Sequence, residues 1–156
     1  MTRRTLIVLA AVGSGALMLG ALGFQHIGGM PPCELCLWQR YPHVAAILIG
    51  LVAVALPRAS LALAGAVATL TTAGIAFYHT GVERAWWAGP TSCSSTDPGN
   101  LSADALFDQI MAAPVIRCDE VPWEMFGLSM ASWNTLASLG LAMIWIAAAR
   151  QIQKQG

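Results

Sequence analysis

Four long stretches without a charged residue decide what this chain can become: Thr5–Phe24, His43–Leu56, Ala59–Tyr78 and Leu128–Ala149. A helix rises about 1.5 Å per residue and the apolar core of a bilayer is about 30 Å thick, so about 20 residues span it. The first, third and fourth stretches hold 20, 20 and 22 residues. The second holds 14 and reaches spanning length if its helix begins upstream, near Cys36 or Leu37. Such a start puts Trp38, Gln39, Arg40 and Tyr41 in the outer interfacial turns and Pro42 in the first turns, where proline is tolerated best. The expectation is an all-α membrane protein, one domain built as a four-helix transmembrane bundle. Its spans fall at about 5–24, 37–56, 59–78 and 128–149, with outer loops at about 25–36 and 79–127.

Composition supports this. Hydrophobic residues make up 56% of the 156, and charged residues only 10%, against roughly 25% in soluble domains. That excludes a disordered chain and argues against a soluble globule. A formal net charge of zero without a Lys/Arg cluster argues against nucleic-acid binding. The first stretch, preceded by Arg3 and Arg4, has a second reading as a cleaved signal peptide, and the arginine pair resembles a twin-arginine export signal. Its length and the three spans that follow favour a helix that stays.

The charges set an orientation. Arg3, Arg4, Arg58, Arg150 and Lys154 are five bases with no acid among them, at the termini and the turn between the second and third spans. The other side carries Glu34 and Arg40 in its first loop. Its long second loop has seven acids (Glu83, Asp97, Asp104, Asp108, Asp119, Glu120 and Glu124) against Arg84 and Arg117. The positive-inside rule places both termini in the cytoplasm. All four cysteines, Cys33, Cys36, Cys93 and Cys118, then lie on or at the edge of the opposite side, where disulfides form and exchange. Trp86, Trp87, Trp123 and Trp133 lie near the expected interfaces, as anchoring aromatics do. In the long loop, Ala103, Leu106, Phe107, Ile110 and Met111 follow helical spacing, with Asn100 or Ser102 available as a cap. This reads as a short surface helix, lying on the membrane or packed on the bundle top. There is no internal repeat and no low-complexity segment.

Cys33-Glu34-Leu35-Cys36 is a C-x-x-C at the start of an expected helix. A helix N-terminus favours the thiolate, and Cys36, nearer the helix, should feel this more. Arg40 lies four residues on, on the same helical face, at a depth where a charge is costly and usually functional. A dithiol beside a cation at the lipid boundary suits a lipid-soluble electron acceptor. Two other readings compete. A four-cysteine zinc site would need a second close pair, and Cys93 and Cys118 are 25 residues apart. A structural Cys93–Cys118 disulfide leaves the C-x-x-C at the membrane unexplained. Two pairs, one in an acidic loop and one at a helix start, point to a relay.

With these residues the sequence resembles the DsbB family of disulfide-bond formation proteins over nearly its whole length. The stretch Cys33-Glu34-Leu35-Cys36-Leu37-Trp38-Gln39-Arg40 is similar to the family's C-x-x-C-x-x-Q-R. Cys118-Asp119-Glu120-Val121-Pro122-Trp123, continuing through Gly127-Leu128-Ser129-Met130 to Trp133, is similar to its segment leading into the fourth span. The resemblance implies an inner-membrane protein-dithiol:quinone oxidoreductase that reoxidises a periplasmic DsbA-like partner and passes the electrons to ubiquinone or menaquinone. It implies that Cys93 exchanges with DsbA, that Cys118 is its partner, and that Cys33 and Cys36 form the quinone-linked pair. Arg40 would polarise the quinone, with His79 and Met130 beside it. DsbA itself is a strong oxidant, at about −120 mV. An oxidant that strong is regenerated by a respiratory quinone and not by a glutathione-like pool. Two kinds of alternative are a DsbB paralogue or vitamin-K-epoxide-reductase-like enzyme with another partner, and a membrane scaffold or chaperone with structural disulfides. Most of the stretch between Cys93 and Cys118 has no counterpart in the family pattern.

Overall fold

The computed structural model describes residues 1–90 and 117–155. Cys93 and the helix expected around 103–111 lie outside the described residues. Four helices carry the structure: α1 (Arg3–His26), α2 (Glu34–Ala55), α3 (Ala59–Glu83) and α4 (Met130–Gln155). All four are long and apolar enough to cross a membrane. A two-residue-stranded hairpin, β1 (Glu124–Met125) and β2 (Leu128–Ser129), runs directly into α4.

The helices alternate in direction. The start of α1 (Leu6, Ile7, Ala10), the end of α2 (Ala53), the start of α3 (Ala62, Ala66) and the end of α4 (Trp145, Ala148, Ala149) share one buried cluster. At the opposite end, Cys33, Leu35, Val82 and Cys118 form a second. The bundle is therefore up-down, closed by contact of α1 with α4. Small residues dominate the seams, as they do where close backbone approach and van der Waals packing hold helices together in lipid. Leu48, Leu51, Val67, Leu136 and Met143 remain exposed on the outside, where a bilayer would cover them.

Several boundaries differ from expectation. The helices run past the charge-free stretches, because a first or last turn at the interface accommodates charge. Thus α3 continues to Glu83, so His79 and Glu83 stand on a helix and not in a loop. Helix α2 begins at Glu34 with Cys33 as its N-cap. Pro42 consequently lies well inside α2 and not in its first turns. It removes one helical N–H, a defect that bundles tolerate when neighbouring groups take up the freed carbonyl. The hairpin was not anticipated. Its two-residue turn needs positive φ at both central positions, and Phe126 (54°) and Gly127 (75°) provide it. Arg84 donates to the Gly127 carbonyl and Trp133 Nε1 to the Met125 carbonyl, tying the hairpin to α3 and α4.

Trp145, fully buried, is the largest side chain of the inner cluster. Gly65 makes room for it: a Cβ there would lie 2.6 Å from two atoms of the indole ring. Gly65→Ala should therefore lower stability by about 1–3 kcal/mol through overpacking. Thermal unfolding in detergent checks this, and an unchanged Tm would contradict the α3–α4 packing described.

Candidate active site

Between the end of α1, the start of α2, the end of α3 and the start of α4 lies a cavity of about 640 Å³. Five of the residues singled out in the sequence line it: Cys33, Cys36, Arg40, His79 and Met130. Cys118 is fully buried and packs in the same cluster as Cys33, with Cys36 against it. One cysteine of the expected second pair thus lies in the same buried cluster as the first pair. Cys93, its expected partner, lies outside the described residues.

The cysteine sulfurs are placed by the helix start. Cys33 Sγ accepts the Cys36 backbone N–H at 3.2 Å, in the manner of an N-cap. The Cys36 N–H, free in the first turn of the helix, therefore serves the Cys33 sulfur. Even so, the Cys36 side chain beside it, together with burial, pushes the Cys33 thiol well above the ordinary range. The two sulfurs and a His79 ring nitrogen lie within 4.8 Å of one another, and Cys33 Sγ is 3.6 Å from His79 Nε2.

A chain of side-chain amides orients this group. Gln39 Nε2 lies 3.0 Å from the Leu35 carbonyl and 3.0 Å from His79 Nδ1. A carbonyl only accepts, so the nitrogen end of the Gln39 amide is fixed there, and its second N–H points at His79 Nδ1. His79 must then carry its proton on Nε2. That N–H faces the Cys118 carbonyl at 3.2 Å and the Cys33 sulfur. On the other side Asn134 Nδ2 donates to Gln39 Oε1 at 2.8 Å. Asn134 Oδ1 accepts from Ser138 at 3.2 Å and from His43 Nε2 at 3.1 Å. His43 is therefore also protonated on Nε2, leaving its Nδ1 bare. Thr72 holds the Gln39 carbonyl at 2.9 Å, so three helices share the polar seam.

Arg40 turns toward α1, donating to Gln25 Oε1 at 2.6 Å. Its buried Nε has no partner, nor has His43 Nδ1. Both residues line the cavity, with these two atoms buried behind its surface. At its mouth, Arg117 grips Asp119 at 2.7 Å and reaches Glu120 at 3.6 Å. The Arg117 guanidinium holds the Asp119 carboxyl below the usual carboxylate range. Phe24 and Trp123 meet at 5.3 Å on the α1 side.

Sequence reasoning left Gln39, His43, Glu83 and Asn134 without a role, yet all four line the cavity. Polar residues inside apolar stretches were the available signal for His43 and Asn134. Glu83 was hidden by its assignment to a loop.

The arrangement defines a class: a membrane-embedded thiol site with a cysteine pair, a third cysteine in the same buried cluster and a cavity beside the pair. The match to known proteins is specific. Residues 3–148 match the family model described as "Disulfide bond formation protein DsbB". Relatives named disulfide bond formation protein B include those of Methylococcus capsulatus (33% identical; 88% of each chain covered) and Polaromonas naphthalenivorans (32%; 93% of this chain, 91% of the relative). That of a Polaromonas species is 28% identical over 97% of this chain and 94% of its own. The chain belongs to the DsbB family, a multi-pass membrane family of disulfide-forming oxidoreductases.

Gln39→Leu tests the amide chain. It strands His79 Nδ1 and the Asn134 amide in a buried place, which costs about 1–3 kcal/mol per group. A lower unfolding midpoint is expected, with a changed ¹⁵N shift pattern for His79. An unaltered His79 spectrum would show that Gln39 does not set its tautomer.

Proposed function

We propose that this protein is an inner-membrane thiol oxidase. It takes electrons from a periplasmic DsbA-like dithiol through Cys93–Cys118 and Cys33–Cys36 and gives them to a membrane quinone. The carrying observation is that Cys118 shares one buried cluster with Cys33 and Cys36, and that this pair lines a cavity together with Arg40 and His43, whose buried Nε and Nδ1 lack partners. A dithiol–disulfide relay needs sulfurs in contact, since each transfer goes through a mixed disulfide.

The donor set fits a quinone. The Arg40 guanidinium can donate to a carbonyl oxygen, and His43 Nδ1 can accept from the hydroxyl that replaces a carbonyl on reduction. The apolar wall of Ala16, Leu17, Ala21 and Met130 suits a lipid-soluble ring. When bound, a quinone supplies a two-electron acceptor that a respiratory chain keeps oxidised. The chain's own residues do the rest. Cys33 and Cys36 hold and release the electrons as dithiol and disulfide. His79 Nε2–H stabilises negative charge on the Cys33 sulfur, and Arg40 orients the acceptor. Cys118 brings electrons from the outer pair. The orientation with both termini and Arg58 cytoplasmic is supported by the five-to-zero basic bias.

Two experiments test this. With a reduced DsbA-like partner, Cys118→Ala should accumulate a Cys93–partner mixed disulfide on non-reducing gels, and Cys93→Ala should accumulate none. An adduct surviving in Cys93→Ala would sink the relay. Arg40→Met removes a charge-assisted hydrogen bond worth about 1.5–3 kcal/mol, so quinone turnover should fall roughly tenfold to a hundredfold while thiol exchange persists. Lysine should rescue only in part, being a point charge without the planar fork. Unchanged quinone kinetics in Arg40→Met would remove Arg40 from the site.

A further inference from the structure

One carboxyl group in the cavity wall has no place in the thiol chemistry above. Glu83 closes α3, and its side chain is 2% exposed. Neighbouring Arg84 is turned away, donating to the Gly127 carbonyl and standing 3.8 Å from Glu124. What faces Glu83 is His79 Nε2 at 3.9 Å on its own helix, Cys36 from α2 and the Ser129 hydroxyl from β2. A carboxylate held in this way, without a cation in contact, is expensive to keep charged.

Its protonation can be counted. Four oxygen–oxygen contacts run in series: Glu83 to Ser129, Ser129 to Ser132 at 3.0 Å, Ser132 to Thr80 at 3.3 Å, and Thr80 to the Ala76 carbonyl at 3.0 Å. Each needs one proton between its oxygens. Three hydroxyls supply three, and the Ala76 carbonyl supplies none. With Glu83 ionised, Ser129 donates to it and one of the four contacts goes without a proton; with Glu83 as the acid the carboxyl supplies the fourth, and every O–H in the row points from Glu83 toward Ala76. Ser129 Oγ also accepts the Ser132 backbone N–H at 3.2 Å, which fills its second lone pair. The far end of the row reaches the outside of the bundle, where Phe77 and Leu136 are exposed. Thr80 and Ser132 border a separate recess of about 160 Å³ with Phe77 and Leu136.

We infer that Glu83 is the acid that delivers a proton into the cavity when the Cys33–Cys36 dithiol is oxidised, and that the Ser129–Ser132–Thr80 row reloads it from the recess. This rests on the quinone reading above. The balance closes. Joining two thiols as a disulfide forms one S–S bond and releases two electrons and two protons, and a quinone takes up two of each. One proton taken up is that of the Cys33 thiol and the other is that of Glu83. The Cys36 proton leaves to the outer water. Glu83 regains one from the same water as each hydroxyl passes its proton one place along the row and turns over.

Infrared spectra of the full-length protein in lipid nanodiscs test this without relying on turnover. The wild type should show a protonated-carboxyl C=O band that is missing in Glu83→Gln. In the same preparations, Glu83→Gln should slow quinone reduction about a hundredfold, within the range of lost general-acid catalysis. Exchange with the DsbA-like partner should be unaffected, and Glu83→Asp should restore part of the rate. Ser132→Ala, which cuts the row, should keep the band, slow quinone reduction and change its solvent deuterium isotope effect. Absence of the band from the wild type, or Glu83→Gln with a wild-type rate and isotope effect, overturns the inference while the thiol:quinone reading stands. Wild-type protein that reduces no quinone overturns both.

Discussion

The hydrogen bond from Gln39 Nε2 to the Leu35 carbonyl is the one on which the site depends. Its acceptor is backbone and cannot reverse, so it fixes the Gln39 amide. The amide in turn fixes the proton of His79, the orientation of Asn134 and, through Asn134, the proton of His43. Inside a membrane the alternative to such a chain is a set of unsatisfied groups, each costly where no water can reach. Polar residues from α2, α3 and α4 therefore settle into one mutually consistent pattern. The result is a donor aimed at the Cys33 sulfur and the Cys118 carbonyl.

The two ends of the bundle divide the work. One end is packed with Ile7, Leu6 and Trp145 against alanines. The other end trades packing for a cavity, and the parts that shape it come from separate elements: the cap of α2, the last turn of α3, the hairpin and the start of α4. The left-handed Phe126–Gly127 turn brings Ser129 against Glu83 and Met130 to the cavity edge. Local backbone geometry and site chemistry are coupled there.

The fold was legible because charge-free runs of spanning length admit few structures. The cysteine pair and Arg40 were legible because a thiol pair and a cation at membrane depth are chemically conspicuous. Their helix ends were not, since interfacial turns tolerate the charges that marked the limits of the apolar runs. Glu83 was read as one of seven loop acids, although four residues separate it from His79 and a continuing helix puts both on one face. The role of Gln39 could not be read either. It sits in the C-x-x-C-x-x-Q-R stretch, but its partners come from 40 and 95 residues away. The site's polar order is a tertiary property, whereas its sulfur chemistry is written locally.

The central claim is that electrons arriving at Cys118 leave through Cys33–Cys36 to an acceptor in the adjoining cavity. The most direct measurement is anaerobic mixing of a reduced DsbA-like protein, catalytic amounts of this protein and ubiquinone or menaquinone, following quinone absorbance and partner thiols together. One quinone should be reduced for each partner dithiol oxidised, and the reaction should vanish in Cys36→Ala. Partner oxidation without matching loss of quinone, or quinone reduction surviving in Cys36→Ala, would contradict the account.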